Sequence, residues 1–250
     1  MTNHSSLRIL HVITDLRIGG AETMLSRLLP RLRDMNVESE VVCLSARGPL
    51  SETLESKGFR VTHLNMKPGR FSLGALFTLS RVIRAFRPTL IHSWLYHADL
   101  MASLAAYFCR VPLIWSIHNS EFRPDVKRST LLVVGILSRL SSFVPRKILS
   151  CSRTATAIHI QRGYRADRIV YLPNGFDTDR FAPDDTLRAR MRKEIGVRDD
   201  DVVIGNVARL DPQKNQAALI RAFGAIANDF PNAVLVLAGR GVDSGNEPFQ

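Results

Sequence analysis

Residues 202–223 constrain the fold of this chain more than any other segment. The segment begins with the apolar run Val202–Val207, continues through the polar residues 209–213, and then carries apolar residues at helical spacing as far as Phe223. A short apolar run, a polar turn and a helical pattern predict a strand, a turn and a helix, which form half of a βαβ unit. In open sheets of parallel strands, ligands bind outside the carboxyl ends of the strands, where such turns lie.

Two cations flank this turn. Arg209 lies at the end of the predicted strand and Lys214 at the start of the predicted helix. Two charged donors, together with the free N–H groups of a helix N-terminus, are suited to binding a diphosphate. The alternative is a solvated turn with two surface cations, and the spacing of the two residues alone favours that alternative.

The same alternation of strand and helix extends through the rest of the chain. Apolar runs predict strands over residues 8–14, 40–44, 60–64, 89–93, 112–117, 147–151, 168–172 and 233–238. Helical spacing predicts helices over residues 21–35, 51–57, 72–86, 98–109, 129–143, 153–161, 187–195 and 215–228. The repeated order of strand, helix and strand predicts a doubly wound parallel sheet, which is an α/β fold.

Three of the predicted helices carry more specific expectations. Pro30 is expected to kink or break the first helix, because a proline in a helix interior costs about 3 kcal/mol. The apolar helix 129–143 fits either the protein core or a membrane surface, and we expect the core. In the helix 72–86, one side is expected to carry Leu73, Leu76, Phe77, Ile83 and Phe86, with arginines on the other side.

The composition is that of a globular protein, with 45% hydrophobic residues in a chain of 250. No apolar run approaches the roughly 20 residues of a helix that spans a bilayer, and the N-terminus lacks the pattern of a signal peptide. Cys43, Cys109 and Cys151 are scattered, so neither a disulfide framework nor a zinc site is predicted. We therefore expect a cytoplasmic protein without a bound metal.

The positive charge is concentrated in the longer, N-terminal part of the chain. Residues 179–250 hold 10 basic and 11 acidic side chains, which leaves 24 basic and 12 acidic ones, a net charge of +12, in residues 1–178. Two intervals, 56–98 and 126–166, contain no acidic residue. Such a field attracts nucleic acid, anionic lipid headgroups or phosphorylated substrates, although a basic surface without a partner is the simpler alternative.

A motif gives the turn a more specific interpretation. The spacing G-x-x-x-R-L-x-x-x-K-N is formed by Gly205, Arg209, Leu210, Lys214 and Asn215. It resembles the signature of the retaining nucleotide-sugar glycosyltransferases known as group 1, or family four, which have the two-domain GT-B fold. The resemblance implies that Arg209 and Lys214 hold the diphosphate of the sugar donor.

Two further segments resemble motifs of the same family. The loop Gly19-Gly20-Ala21-Glu22 resembles its glycine loop, which implies that Gly19 and Gly20 approach the donor diphosphate and makes Glu22 a secondary candidate. His118 follows the predicted strand 112–117 and resembles the family histidine beside the transferred sugar. The resemblance therefore implies a catalytic role for His118.

The remaining candidates are secondary. Asn174 belongs to the P-N-G-F-D segment 173–177, which resembles the family loop at the junction of the two domains. His92 lies in a predicted strand, and a lone histidine of this kind is more often structural than functional. Gly239 and Gly241 follow the last predicted strand.

The resemblance implies a GT-B-like fold with two Rossmann-like domains. We expect a complete, acceptor-side domain over residues 1–178 and an incomplete, donor-binding domain over residues 179–250. The acidic Glu-x₇-Glu motif, which contacts the donor sugar and ribose in family members, does not occur after the last predicted strand. We therefore expect this chain to be truncated within its second domain and inactive.

The function implied is retaining transfer of a sugar from a nucleotide-diphosphate sugar to a hydroxyl acceptor, such as a glycan or a lipid-linked sugar, without a metal or other cofactor. We expect it to serve polysaccharide, glycan or glycolipid biosynthesis in the cytoplasm or peripherally at the inner face of the membrane. The alternatives are a sugar-nucleotide epimerase of the same architecture and a non-catalytic protein that binds a nucleotide sugar or an anionic surface. Nucleic acid is not expected as a partner, because the basic stretches lack interleaved aromatic residues.

Overall fold

The computed structural model describes residues 7–67, 69–119, 122 and 126–243. The chain divides into two compact units, Met1–Gly175 and Phe176–Gln250. The boundary lies in the irregular stretch that follows the last strand of the first unit, close to the division expected between residues 178 and 179.

The first unit is built on one sheet of seven parallel strands. The strands are β1 (Arg8–Ile13), β2 (Glu38–Cys43), β3 (Arg60–His63), β4 (Leu90–Trp94), β5 (Leu113–Ile117), β6 (Lys147–Ser150) and β7 (Ile169–Tyr171). Their order across the sheet is β3-β2-β1-β4-β5-β6-β7. This order confirms the predicted doubly wound parallel sheet and places its switch point between β1 and β4, where ligands bind in sheets of this kind.

Helices pack on both faces of this sheet. They are α1 (Gly20–Asp34), α2 (Pro49–Ser56), α3 (Leu73–Phe86), α4 (Tyr96–Cys109), α5 (Arg128–Leu140) and α6 (Arg153–Gln161). One buried cluster contains residues of α1 and α2 together with Ile13 and Trp94 of the sheet. A second cluster contains residues of α3 to α6 together with Val12 and Trp115. Side chains alternate between the two faces along a strand, so the two clusters form the two layers of the core.

The expected break at Pro30 does not occur. The helix α1 runs without interruption from Gly20 to Asp34 with Pro30 inside it. Proline removes one hydrogen bond from a helix, whereas the fully buried side chains of Leu25 and Leu29 anchor the same segment in the core. Most of the stability of a helix in a protein comes from such packing, which explains why α1 continues through the proline.

The side of α3 that faces the core differs from the one expected. The buried residues are Ala75, Leu79, Ser80, Ile83 and Phe86. Leu73 and Phe77 are 74% and 61% exposed. They lie four residues apart, and Arg81 follows four residues later, so the three share one side of the helix. The prediction was wrong for Leu73 and Phe77 because α3 carries apolar residues on two of its sides.

The apolar helix α5 packs mainly into the core, as expected. Val133, Val134 and Leu137 are buried, whereas Leu132 is exposed. Among the residues described above, none of the helices combines the length and the apolar character that crossing a bilayer requires.

The second unit contains the parallel strand pair β8 (Val202–Val207) and β9 (Ala233–Ala238). Its described helices are α7 (Asp185–Glu194) and α8 (Gln216–Ile226). The chain passes from β8 through a turn into α8, so the strand, turn and helix that were expected over residues 202–223 are all present.

Candidate functional site

The turn after β8 places two cations near the start of α8. It contains a short 3₁₀ segment, Pro212–Lys214, and α8 begins at Gln216. Arg209 lies two residues beyond the end of β8, and Lys214 lies two residues before the start of α8. Both therefore lie at the carboxyl end of a parallel strand, where ligands of α/β sheets bind.

Hydrogen bonds fix the backbone of this turn. The carboxylate of Asp211 accepts the Gln213 N–H at 2.9 Å, and the buried side-chain amide of Gln216 donates to the Arg209 carbonyl at 2.8 Å. Asn215 has a φ of 49°, a left-handed conformation that asparagine tolerates better than most residues. Residues 211–216 therefore hold the backbone from which Arg209 and Lys214 extend.

The two cations of the turn are accessible to solvent, whereas the side chain of Asp211 is 15% exposed. The guanidinium of Arg209 lies 2.9 Å from the carboxylate of Asp211, and its side chain is 46% exposed. Lys214 is exposed. An exposed ion pair contributes only about 0.2–1 kcal/mol, so an anionic ligand can recruit Arg209 from Asp211 with little loss of stability.

The loop after β9 lies against this turn. The Leu210 N–H donates to the Arg240 carbonyl at 2.9 Å. Gly239 has a φ of 146°, and a Cβ at this position would lie 2.0 Å from the Ala208 carbonyl oxygen. Only glycine permits the backbone at position 239 to lie so close to the Ala208 carbonyl. The local packing therefore explains the glycine at this position. The loop also carries the exposed Arg240, a third cation that the sequence analysis did not single out although it lies between two glycines.

Gly19 and Gly20 begin α1, as the sequence suggested. Gly19 is the N-cap residue in an extended conformation, and its carbonyl accepts the Thr23 N–H at 3.0 Å. A Cβ on Gly19 would lie 2.3 Å from Oε2 of Glu22, whereas a Cβ on Gly20 would have open space. The Glu22 carboxylate thus covers Gly19 at the positive end of the helix. Binding of diphosphate at Gly19 and Gly20 stays a prediction.

His118 directly follows β5 and stacks on a tryptophan. Its imidazole lies 5.1 Å from the indole of Trp94, at an interplanar angle of 12°. Burial lowers the pKa of His118 to about 4. The ring is therefore neutral at pH 7 and offers one hydrogen-bond donor and one acceptor.

The side chain of His92 is buried in the core and does not face an open site. It is 6% exposed, and its Nε2 lies 2.7 Å from the hydroxyl oxygen of Ser116. Burial lowers the pKa of His92, with smaller contributions from charge on His11 and His118. Its position supports a structural role beside Trp94, from which its ring centroid is 4.5 Å away.

The last secondary candidate, Asn174, lies in the exposed stretch after β7. The structure thus groups Arg209, Lys214, Gly239 and Gly241 in the second unit, and it groups His118 with His92 in the first. Within the described ranges, no three histidine, cysteine, aspartate or glutamate side chains are placed to hold a metal ion.

Known structures share this fold. The structure of HepE from Anabaena in complex with UDP-glucose superposes with a TM-score of 0.77, at 22% identity, over 96% of this chain and 62% of that one. At this identity the likeness shows the fold alone, an α/β fold of the GT-B type.

Curated relatives share segments of the sequence. A UDP-Gal:α-D-GlcNAc-diphosphoundecaprenol α-1,3-galactosyltransferase of Escherichia coli is 23% identical over 96% of this chain and 64% of its own length. A GDP-mannose-dependent α-(1-6)-phosphatidylinositol monomannoside mannosyltransferase of Mycolicibacterium smegmatis is 38% identical over 46% of this chain and 28% of its own length. This chain thus spans less than two thirds of these relatives.

Two family models match the chain, one for each part of it. The model described as Glycosyl transferases group 1 matches residues 188–250. The model described as Glycosyltransferase Family 4 matches residues 18–180, well over half of the chain. The chain therefore belongs to glycosyltransferase family 4.

Proposed function

We propose that this protein transfers a sugar from a nucleotide-diphosphate sugar to a hydroxyl acceptor, with retention at the anomeric carbon. The observation that carries the proposal is the turn after β8, which holds Arg209 and Lys214 at the carboxyl end of a parallel strand. The complex of HepE with UDP-glucose supports a nucleotide-sugar donor. No observation favours the epimerase or the non-catalytic alternative over transfer.

In the proposed reaction, negative charge builds up on the diphosphate as it leaves the sugar. Arg209 and Lys214 bind the diphosphate, and preorganised cations of this kind stabilise the charge that develops in the transition state. Two cations perform the role that a metal ion has in other phosphate sites, so we propose that the reaction needs no cofactor. His118, as a neutral imidazole, hydrogen-bonds a hydroxyl of the transferred sugar and positions it.

We further propose that the acceptor is a glycan or a lipid-linked sugar. The name of the Escherichia coli relative specifies a sugar on a diphosphoundecaprenol carrier, and that of the Mycolicibacterium smegmatis relative a phosphatidylinositol mannoside. An acceptor of this kind would place the protein in polysaccharide or glycolipid biosynthesis, in the cytoplasm at the inner face of the membrane.

The outward side of α3 is the surface that we propose for membrane contact. It presents Leu73 and Phe77 to solvent, and Phe71 just before the helix is 53% exposed. Arg81 and Arg84 follow on exposed positions of the same helix. Apolar side chains beside arginines suit the boundary between anionic headgroups and acyl chains. α5 is less suited, because most of its apolar side chains face the core.

Flotation with liposomes tests this surface. We expect Phe77→Ser together with Arg81→Glu to reduce recovery with anionic vesicles severalfold at low salt, since each basic residue near such a surface contributes about 1 kcal/mol. Leu132→Ser together with Arg139→Glu on α5 is the matched control. Equal recovery of the unsubstituted protein with neutral and anionic vesicles would contradict membrane contact through charge.

Binding of the donor is the test of the central proposal, because it needs no acceptor. Calorimetric titration with UDP, GDP and their sugar conjugates should show binding of at least one nucleoside diphosphate, with weaker binding of the corresponding monophosphate. The NMR coupling of the anomeric proton in any product then tests retention. If none of the nucleoside diphosphates binds, the proposal is wrong.

A further inference from the structure

Two histidine rings contact one indole at the carboxyl ends of β4 and β5. Trp94 stacks on His118, with centroids 5.1 Å apart, and its indole also lies 4.5 Å from the ring of His92 at an angle of 33°. His92 and Trp94 are two residues apart on β4, so their side chains point to the same face. Trp94 pairs with Ser116 of β5, and His118 follows two residues later. The register of the two strands therefore brings the three rings together.

The indole of Trp94 has little freedom to move. It is 3% exposed, and its Nε1–H donates to Nδ1 of His11 at 3.3 Å. His11 is fully buried, and within the described part of the chain its Nε2 has no hydrogen-bond partner. The ring of His92 is held in turn by the Ser116 hydroxyl at 2.7 Å. A buried polar atom without a partner is unfavourable. The hydrogen bond that Nδ1 accepts from Trp94 gives a reason for a histidine at this position in spite of that cost.

The backbone after Trp94 is strained. Leu95 has φ 72° and ψ 151°, a combination that residues other than glycine rarely adopt. Its N–H donates to the Ser116 carbonyl at 3.4 Å. Its carbonyl accepts the Asp99 N–H at 2.9 Å, and this hydrogen bond belongs to the first turn of α4. Strain of this kind persists only where the surrounding structure imposes it, and it concentrates at functional sites. The segment that carries Trp94 is therefore held in one conformation.

We propose that Trp94 is a positioning residue of this protein, because its indole sets the plane in which His118 presents its imidazole to the sugar. This inference rests on the role of His118 in the proposed function. A histidine beyond a strand end rotates about two side-chain torsions, and stacking on an immobile indole removes that freedom. Parallel, offset rings at this distance attract each other, and a displacement of about 1 Å in a catalytic group can reduce a rate on the order of a hundredfold.

NMR of the histidine side chains separates positioning from a structural role. The chain has seven histidines, and the spectrum of His118→Gln identifies the signals of His118. In the unsubstituted protein, the ring current of Trp94 should move these signals upfield. In Trp94→Leu we expect the upfield shift to disappear and the pKa of His118 to rise from about 4 toward 6.5, because water reaches the ring. Trp94→Phe should reduce the upfield shift of the His118 signals without abolishing it. This variant tests whether Trp94 positions His118 if Trp94→Leu does not fold.

The other tryptophan of the chain provides a matched control. Trp115 is also fully buried but belongs to the opposite layer of the core, so Trp115→Phe should leave the signals and pKa of His118 unchanged. In sugar transfer, Trp94→Leu should lower kcat on the order of a hundredfold with little change in KM for the donor. Unchanged signals and pKa of His118 in a folded Trp94 variant would overturn the inference. The proposed function fails if no nucleoside diphosphate binds, whereas the NMR result decides whether Trp94 positions His118 even where no sugar transfer is measured.

Discussion

The residues proposed to act in the first unit are neutral and packed among other rings, whereas those in the second unit are charged and exposed. His118 stacks on a buried indole, and burial keeps its imidazole uncharged at pH 7. Arg209 and Lys214 lie in a turn that is held by hydrogen bonds between the side chains of Asp211 and Gln216 and the backbone, and not by burial of the two cations. The two groups therefore depend on different forces: packing in the first unit and charge in the second.

This difference matches the two parts of the proposed donor. A sugar has neutral hydroxyl groups, which a neutral imidazole can bind as donor and acceptor. A diphosphate carries full charges, which exposed cations attract over a distance of about 8–10 Å at physiological salt. Binding through the second unit should therefore weaken with salt, whereas the environment of His118 should respond to packing and to pH.

The largest effect is expected from Arg209→Ala combined with Lys214→Ala. Charge-assisted hydrogen bonds contribute about 1.5–3 kcal/mol each, so the double variant should lose on the order of a hundredfold or more in affinity for nucleoside diphosphate. Calorimetry at low and high salt measures this loss. Arg221→Ala removes an exposed cation of α8 away from the turn and should bind like the unsubstituted protein. Unchanged affinity in the double variant would exclude the turn as the diphosphate site.

The second effect is a dependence of stability on pH in the first unit. Burial lowers the pKa of His118 from 6.5 to about 4, so between these values the unfolded chain binds a proton that the folded chain does not. The free energy of unfolding should therefore fall as the pH falls through this window, by up to about 1.4 kcal/mol per pH unit for one such histidine.

Urea denaturation of the unsubstituted protein and of His118→Gln across this window measures the contribution of His118. The variant should show a shallower decline, while His11 and His92, whose pKa values burial also lowers, continue to contribute. Equal slopes for the two proteins would mean that the pKa of His118 is ordinary, and the contrast between the two units would lose its basis.

The smallest effect is expected from Asp211→Asn. The change removes the charge beside Arg209 but keeps an oxygen that can accept the Gln213 N–H. An exposed pair of this kind contributes about 0.2–1 kcal/mol, so stability should fall by less than about 1 kcal/mol. Affinity for nucleoside diphosphate should rise severalfold, because Arg209 no longer has a competing carboxylate.

Asp167→Asn provides the control for this change. Arg165 and Asp167 form a pair with the same spacing in the first unit, in which the carboxylate is more exposed than that of Asp211. Asp167→Asn should therefore alter stability no more than Asp211→Asn does and leave the affinity unchanged. A fall in the affinity of the Asp211→Asn variant would show that Asp211 assists binding and does not compete with it.

The architecture could be predicted from the sequence because its signals are local. The strands β8 and β9 are mostly apolar runs, and their predicted and observed limits coincide, although their side chains are half-buried or exposed. The side of α3 that faces the core could not be predicted in full, since Leu73 and Phe77 are as apolar as the residues that the sheet covers. Only the packing partners distinguish the two sides of that helix.

The candidate residues of the two units differ in the same way. The turn with Arg209 and Lys214 lies within one short segment, so a motif could reveal it. The stack of Trp94 on His118 joins two strands, and it depends on the register of β4 with β5. The only local sign was the alternation His92-Ser93-Trp94, which places two rings on one face of a strand. The conformation of Leu95 had no sign at all, because a leucine normally avoids a φ of 72°.

The order of strands in the first sheet has a consequence for synthesis of the protein on the ribosome. β1 pairs on one side with β2 and on the other with β4, where Ile9 lies opposite Leu90. At about 5–20 residues per second, one edge of the first strand stays open for roughly 4–16 s after β1 has emerged. An unpaired, apolar strand edge is a site of aggregation. Nascent chains that stop before β4 should therefore need chaperones far more than chains that have passed it.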